Sequence, residues 1–507
     1  MSQLQAANER IAFLEEKVAK LEALIEWFKK QSFGTGKSER QDALQLQLQL
    51  KELEELKEEL SQNEQITYER KKPKPRPTPA ERFKDLPVKE TVVVEPEEVQ
   101  SDPDLYERIG EETTFEVDIT PPKLFKREIV RPKYRHKIAR SRPPVIAPAP
   151  KRAIEGSYAS AGLVTWVILS KFRDHQPLYR QEKMFKRWNG LIARQTMSDW
   201  IATATLLLES IYDAIKQQLL AGDYLQADET PIKFIDPDLK KGKAKTGYFW
   251  LMGKPDGLVY LEWHQSRGQE CAEELLDGFE GVLQSDGYSG YNPIHGEGKA
   301  VIRVACLAHC RRKFAEALNA YPVQAAFMLR LIGNLYHLDN QWERDGITDP
   351  SRRSDLRKRD FALTLRLLKK AAIRMRERFR PASEIGKACS YLLGQWEALE
   401  RLCDYGQVRL DNNLIENAVR PTKLGAKNWL FIGAPHAGKR SAVIYTILLS
   451  CQRCGIDPHD YIKDLLERLP GMSNQDDLTH LLPQNWKPTV SHDDPNRHVL
   501  DIETVTV

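Results

Sequence analysis

From residue 222 onward the chain stops reading as helix and breaks into short apolar runs, and the order of those runs restricts the possible folds more than any other feature. DYLQAD, GYFWLMG and LVYLEWH read as three strands joined by short turns. CAEELLDGFE reads as a helix, GVLQSDG as a fourth strand, VIRVACLAH as a fifth and CRRKFAEALNAY as a helix. This β-β-β-α-β-(α)-β-α order predicts a mixed sheet with flanking helices. Residues 319–405 then read as helices only, rich in Arg, Lys and Leu, and look like an insertion after the last strand.

At 507 residues the chain exceeds one compact core, so two to four domains are expected. Leu4, Ala7, Ile11, Leu14, Val18, Leu21, Ile25 and Phe28 form a heptad seam with Glu and Lys between, which predicts a homo-oligomeric coiled coil. Gly34 and Gly36 break it, and a Leu/Gln/Glu/Lys-rich helix is expected over 42–60. KKPKPRPTP at 71–79 reads as an extended linker, followed by an acidic stretch from Asp85 to Asp118. A basic stretch spans 123–142, with Phe125 and Tyr134 interleaved among cations. That pattern marks Lys126, Arg127, Arg131, Lys133, Arg135 and Lys137 as candidate DNA phosphate contacts. PPVIAPAP at 143–150 reads as a second linker. Residues 157–220 read as helical, with YRQEKMFKRWNGLIARQTMSDWI resembling a helix-turn-helix whose second helix is Ser/Thr-capped.

The expected organisation is multidomain α+β. It comprises a coiled coil over 1–70 and a linker with a basic region over 71–150. A helical DNA-binding region spans 151–221, a catalytic domain 222–420 with the insertion at about 319–405, a C-terminal cap 421–470 and a flexible tail 471–507. The N-terminus has no apolar core of a secretory signal, and no apolar run is long enough to span a bilayer. Seven cysteines, all after residue 270, fit reduced thiols in a cytoplasm better than a disulfide framework.

Three carboxylates carry the functional reading. Asp228 lies in Ala-Asp-Glu-Thr and is expected at the exit of the first strand, before a turn at Thr230-Pro231. Its neighbour Glu229 must face the opposite side. Asp286 follows GVLQS and precedes Gly287, which lets backbone or substrate approach closely. Glu416 opens a helix in DNNLIEN. Asn413-Leu-Ile-Glu416 also matches a capping box, with Asn413 as N-cap, while Asn412, Glu416 and Arg420 are expected to share one helix face. Three acidic groups at one sheet edge suit Mg²⁺ or Mn²⁺, a pair of ions for phosphodiester chemistry.

His309 with Arg311 and Arg312 begins a helix and is expected to face phosphate. Cys306, Cys310, Cys451 and Cys454 read as buried free thiols rather than zinc ligands. GAPHAGKRS at 433–441 is not a P-loop, because Arg440 stands where Ser or Thr should follow Lys439; a basic loop contacting DNA fits, with Lys427 nearby.

The stretches GKSER at 36–40, KFRDHQPLYRQEKMF at 171–185, ADETP at 227–231 and QSDGYSGYN at 284–292 resemble the bacterial insertion-sequence-66 family of DDE transposases. So do RVACLAHCRRKF at 303–314 and LDNNLIENAVRPTKLGAKNWLFIGAPHAGKRSA at 410–442. The resemblance implies an RNase H-like fold with a helical insertion before the third carboxylate, and Asp228, Asp286 and Glu416 as the metal-binding triad. It also implies a zinc-binding region after the zipper. Here RPKY at 131–134 is followed by RHKIARSR, without the family's paired cysteines, so zinc is not expected. Asn417 stands where the family often has Arg.

The expected function is therefore Mg²⁺-dependent cleavage at the ends of an insertion sequence and strand transfer into target DNA. The partners would be DNA, further copies of the chain and, by the family alone, accessory proteins of the same element. The expected location is the cytoplasm, at the nucleoid when DNA is bound. The alternatives are a coiled-coil DNA-binding regulator without chemistry and a metal nuclease that does not join.

Overall fold

The computed structural model describes residues 123–488 apart from 136, 138–142, 237–242 and 474, together with 84, 88 and 117. The expected zipper, the helix over 42–60, the linker at 71–79 and residues 489–507 lie outside the described residues. The chain divides into units Met1–Val117 and Asp118–Val507, and the helices and strands of the described residues all lie in the second.

Residues 123–135 and Lys137 are exposed; β1 (Lys133–Tyr134) pairs antiparallel with β2 (Val145–Ile146). Three helices come next: α1 (Ala161–Phe172), α2 (Leu178–Arg187) and α3 (Arg194–Leu220). Ser160 caps α1 through the Leu163 N–H. The α2–α3 hairpin turns at Asn189, in the left-handed region (φ 57°). The expected Ser/Thr cap on α3 is absent: Ala193 stands at its N-cap, and Glu182 of α2 accepts from the Arg194 N–H at 3.2 Å instead. Met197, Ile201, Ala204, Leu208, Ile211, Ile215 and Leu219 bury one face of α3 along all 27 residues. That face is committed to the core.

The central sheet runs β3 (Tyr224–Ile235), β4 (Ala244–Gly253), β5 (Val259–His264), helix α4 (Gln269–Leu275), β6 (Gly281–Ser285) and β7 (Val301–Ala305). A 3₁₀ turn over Ser289–Ile294 lies between the last two strands. The strand order is β5-β4-β3-β6-β7, antiparallel among the first three and parallel thereafter, so the sheet is mixed as expected. One expectation fails. β3 does not end at Thr230-Pro231 but continues against β4 to Ile235, which places Asp228 within the strand. Pro231 is tolerated because the parallel ladder with β6 stops at Gln226. Beyond it, β3 turns that edge toward the Lys423 side chain and the Ile432 backbone.

After β7 come α5 (Leu307–Glu316), α6 (Pro322–Arg344), α7 (Pro350–Asp360), α8 (Ala362–Arg378), α9 (Glu384–Gly394) and α10 (Trp396–Glu400). They build a second apolar core around Phe314, Met328, Leu368 and Leu392. Fully buried Arg357 sits inside, paired with Asp339 at 2.8 Å and donating to the carbonyls of Leu402, Tyr405 and Val408.

α11 (Asn413–Trp429) runs unbroken through residues 420 and 421, so no structural break falls there. α12 (Pro435–Arg453) lies on the edge strand β5. Its Thr446 and Ser450 hydroxyls accept the Leu261 and Val259 N–H groups at 2.9 and 3.1 Å, and Ser450 donates back to the Val259 carbonyl. α13 (Pro458–Arg468) closes the C-terminal side. The described part of the expected flexible tail is packed. Leu481 and Leu482 are buried, and the Trp486 indole meets Tyr461 edge-on while donating to Asp464 at 2.8 Å. Among the described residues no helix is long and apolar enough to cross a membrane.

Candidate active site

β3 and β6 carry the same four-residue pattern, Leu225-Gln226-Ala227-Asp228 and Leu283-Gln284-Ser285-Asp286. The parallel register pairs Leu225 with Leu283 and Gln226 with Gln284. Two steps further on, where the strands have stopped pairing, Asp228 and Asp286 leave equivalent positions. This repeat is a sequence signal for the site that strand alternation alone does not deliver.

The third acidic element is held by a buried polar network. The Gln284 Oε1 accepts from Tyr224 at 2.6 Å and from Gln226 at 2.9 Å. Gln226 also donates to the Asp411 carbonyl, and Gln284 to the Arg409 carbonyl, at 2.9 and 2.7 Å. Leu307 N–H donates to Leu410. Segment 409–411 is thereby fastened to the sheet, and α11 starts beside β3. Asn412 completes the join: its side chain donates to the Ala227 carbonyl at 3.4 Å and its N–H to the Cys306 sulfur at 3.5 Å.

Asn412, expected to contact DNA, is instead spent on these internal bonds. It is fully buried and stands at the N-cap of α11, so it does not share a solvent face with Glu416 and Arg420. The expected capping box is also absent: Asn413 is the first helical residue, the Asn412 side chain accepts from no helix N–H, and it is Asp411 Oδ1 that accepts from the Asn413 N–H at 3.1 Å. That leaves the Glu416 carboxylate uncommitted to backbone.

Electrostatics tie the three carboxylates together. Burial pushes Asp228 up to about 8, and the charges of Glu229, Glu416 and Asp286 add to it. Glu416 is raised by burial and by Asp411 and Asp286, with Arg312 and Arg420 opposing. Asp228 makes no ion pair among the described residues. A buried Glu416 Oε1 has no hydrogen-bond donor, although His309 Nε2 lies 3.5 Å away. Glu229 faces elsewhere, into a pair with Arg267 and a 3.1 Å bond from Tyr291, and Arg267 stacks 3.9 Å over the Tyr288 ring.

The insertion helices shape the Asp286 turn. Tyr288 N–H donates to Asp286 Oδ1 at 2.9 Å, and Tyr391 of α9 accepts from Gly287 N–H at 3.2 Å. A Cβ at Gly287 would lie 2.7 Å from Gln395 Nε2. Arg303 of β7 donates to the Asp286 carbonyl, Ser285 and Gln395.

His309 belongs beside Glu416 rather than on an outer phosphate surface. Burial, then Arg312, lowers its pKa, so the ring is neutral near pH 7. Cys306, His309 and Glu416 bring ligand atoms within 4.8 Å of one another, a closeness the three carboxylates do not share. Burial pushes the Cys306 thiol up to about 12, which keeps it protonated. All seven cysteines are free. Hard oxygen donors with unmet charge fit a divalent cation such as Mg²⁺ or Mn²⁺.

Among the remaining candidate DNA contacts, Arg311, Arg312, Arg420 and Lys427 are exposed. Lys126, Arg127, Lys133, Arg135 and Lys137 are exposed too, and Arg131 donates to the Ala147 carbonyl. Lys439 is paired with Glu209 at 3.1 Å, and Arg440 is half-buried.

Comparison with known proteins places the chain in a family. The family model described as "Transposase IS66 family" matches residues 156–440, and that of the "IS66 C-terminal element" matches 446–484. Two similar proteins of Sinorhizobium fredii are each 30% identical. Uncharacterized protein y4jD aligns over 75% of this chain and 76% of its own length, and uncharacterized protein y4qI over 82% and 79%. The chain belongs to the IS66 family of transposases.

Proposed function

We propose that the chain is a DDE transposase that cleaves DNA at the ends of its element and joins the freed 3′-OH to target DNA. Asp228, Asp286 and Glu416 would hold divalent metal, Mg²⁺ or Mn²⁺, as a pair of ions. The observation that carries this reading is the uncompensated acidity of the site. Burial, then the charges of Glu229, Glu416 and Asp286, raise Asp228 to about 8, and no cation is paired to it among the described residues. Maintaining such a cluster costs stability in the bare chain, which a function in cation binding explains. The strand order and the two aspartates, each two residues past the last Gln226–Gln284 parallel pair, support an RNase H-like catalytic domain over 222–420, interrupted by the helices of about 319–405.

When bound, the cations supply charge neutralisation and an activated oxygen nucleophile for in-line displacement at phosphorus. The chain's own residues orient and position. Gln226, Gln284 and Asn412 fix the start of α11 against β3, so Glu416 is presented to the two aspartates. Arg303, Tyr391 and Gln395 set the turn that aims Asp286. Arg312 and Arg420, whose charges reach Glu416, are placed to draw phosphate toward the acidic cluster.

We also propose phosphate contacts along 123–137 and from the helices of 151–221, and a coiled coil over 1–70 that joins protomers so that two DNA ends are held together. Accessory proteins of the element and association with the nucleoid belong to the same reading. Strand transfer with pre-cleaved ends and Mg²⁺ tests the chemistry. Joined product supports the proposal; binding without cleavage favours a regulator, and cleavage without joining favours a nuclease. Light scattering tests the coiled coil: removing residues 1–30 should reduce oligomer size.

A further inference from the structure

Between α1, the start of α2, α3 and the α11–α12 connection lies a cavity of about 300 Å³, at the lower end of the range for small-ligand sites. Lys171 and Arg440 line it, and neither makes an ion pair or hydrogen bond among the described residues. Asp199 is the carboxylate whose charge acts on Arg440, while burial and the Arg440 charge push Lys171 down to about 8. Lys171 Nζ lies 5.0 Å over the Phe172 ring, and no carboxylate lines the recess, so its two cations favour an anion. α12, 19 residues long, begins at the same recess with Ala434 at its N-cap, no side-chain cap and no acidic residue in its first turn. Pro435 has no N–H and the Ala437 N–H donates to the Ala434 carbonyl at 3.0 Å, so it is chiefly the helix dipole that favours the same sign of ligand.

The other wall is aromatic. Trp429 and Phe431 line the cavity, and the buried Trp429 indole N–H has no acceptor. Leu430 between them is held at φ 66°, a left-handed conformation that is rare for leucine and turns the chain sharply at this point. Cationic and aromatic groups together recognise a phosphate attached to a flat ring.

We infer that this cavity receives a single nucleotide of a DNA strand, its base against Trp429 and Phe431 and its phosphate at Arg440, Lys171 and the start of α12. The inference rests on the transposase reading and names a substrate subsite for it. Trp429 stands 13 residues beyond Glu416 on α11, about 20 Å along the axis. A strand reaching from the acidic cluster to the cavity would cover about six nucleotide steps at roughly 3.4 Å each. The exposed side chains of Arg420 and Lys427 lie along that interval.

The test uses the full chain in EDTA with single-stranded oligonucleotides carrying 5-iododeoxyuridine, irradiated, digested with trypsin and mapped by mass spectrometry. Crosslinks are expected at Trp429 or Phe431, in the peptide Asn428–Lys439. The double variant Phe431→Ala/Arg440→Gln should lower that yield at least tenfold with an unchanged circular dichroism spectrum. Crosslinks confined to other peptides, or a yield within twofold in the folded variant, overturn the inference. So does competition by free thymidine 5′-monophosphate as effective as that by unlabelled strand, which would make this a free-nucleotide site. With divalent metal chelated throughout, crosslinking that persists in a chain unable to cleave separates this inference from the proposed chemistry.

Discussion

Gln226 donates to Gln284 at 2.9 Å across the parallel β3–β6 pair, two residues before each of the site's aspartates. The same Gln226 nitrogen lies 2.9 Å from the Asp411 carbonyl, so one amide links both strands to the segment that leads into α11. Gln226→Leu preserves volume but removes one of the two donors to Gln284 Oε1 and leaves the Asp411 carbonyl without its Gln226 donor in a buried place. Denaturant unfolding should show a loss of about 1–3 kcal/mol, and cleavage should fall more steeply than stability because Glu416 loses its alignment.

Asp228→Asn should abolish cleavage and leave DNA affinity within a few fold by gel shift. The same variant should be more stable than the parent in metal-free buffer at pH 8. Equal cleavage by the variant would remove Asp228 from the site.

The pH dependence comes from the direction of the Asp228 shift. Its folded pKa, about 8, lies above the ordinary aspartate value of 3.8. The native state therefore keeps a proton that the unfolded chain releases, and stability present below pH 4 is lost as pH rises through 8. Metal-free melting temperature should fall across that window and flatten in Asp228→Asn. Because metal must displace the proton, apparent Mn²⁺ affinity measured by calorimetry should climb with pH and level off above about 8.

Gly287→Ala brings a methyl group against Gln395 and Tyr391, at 2.7 and 3.1 Å. Either the Gln395 amide, held by Arg303, or the Asp286 turn must shift to admit it, and a small misplacement of a reacting group can cost on the order of 100-fold in rate. Cleavage should drop by at least tenfold with little change in melting temperature. Gln395→Ala in the same chain should restore much of it, since the nearer obstacle is the end of a flexible side chain.

Asp339→Ala leaves Arg357 buried without its carboxylate partner. Breaking such a pair costs about 3–5 kcal/mol. A chain with the insertion core melted should still show intact packing around α3 and β5 by hydrogen exchange, because that core is a separate cluster.

Much of this is legible from residue order. The five strands, the helical run after β7 and the three carboxylates emerge from periodicity and local chemistry. Position within an element is harder. Thr230-Pro231 reads as a strand exit because proline cannot donate to a ladder, yet β3 has already lost its parallel neighbour on that side, and the strand runs on. Asn412 reads as a solvent-facing side chain, but its amide is spent on the Ala227 carbonyl, a contact 185 positions away that no local pattern encodes. His309 reads like one more cation at a helix start; only the fold brings it to Glu416. Residues 471–488 lack helical periodicity, and Trp486, packed on α13, holds them without it.

The hydroxyls of Thr446 and Ser450 satisfy N–H groups of β5, a strand with no neighbour on its outer side. The two family matches meet between residues 440 and 446, inside the single helix α12. A fragment stopped at that seam would bare a row of unmet amides ready to template another chain. The boundary between the two matched segments is thus not a boundary of folding, and neither half should be obtainable as a well-behaved solution species by itself.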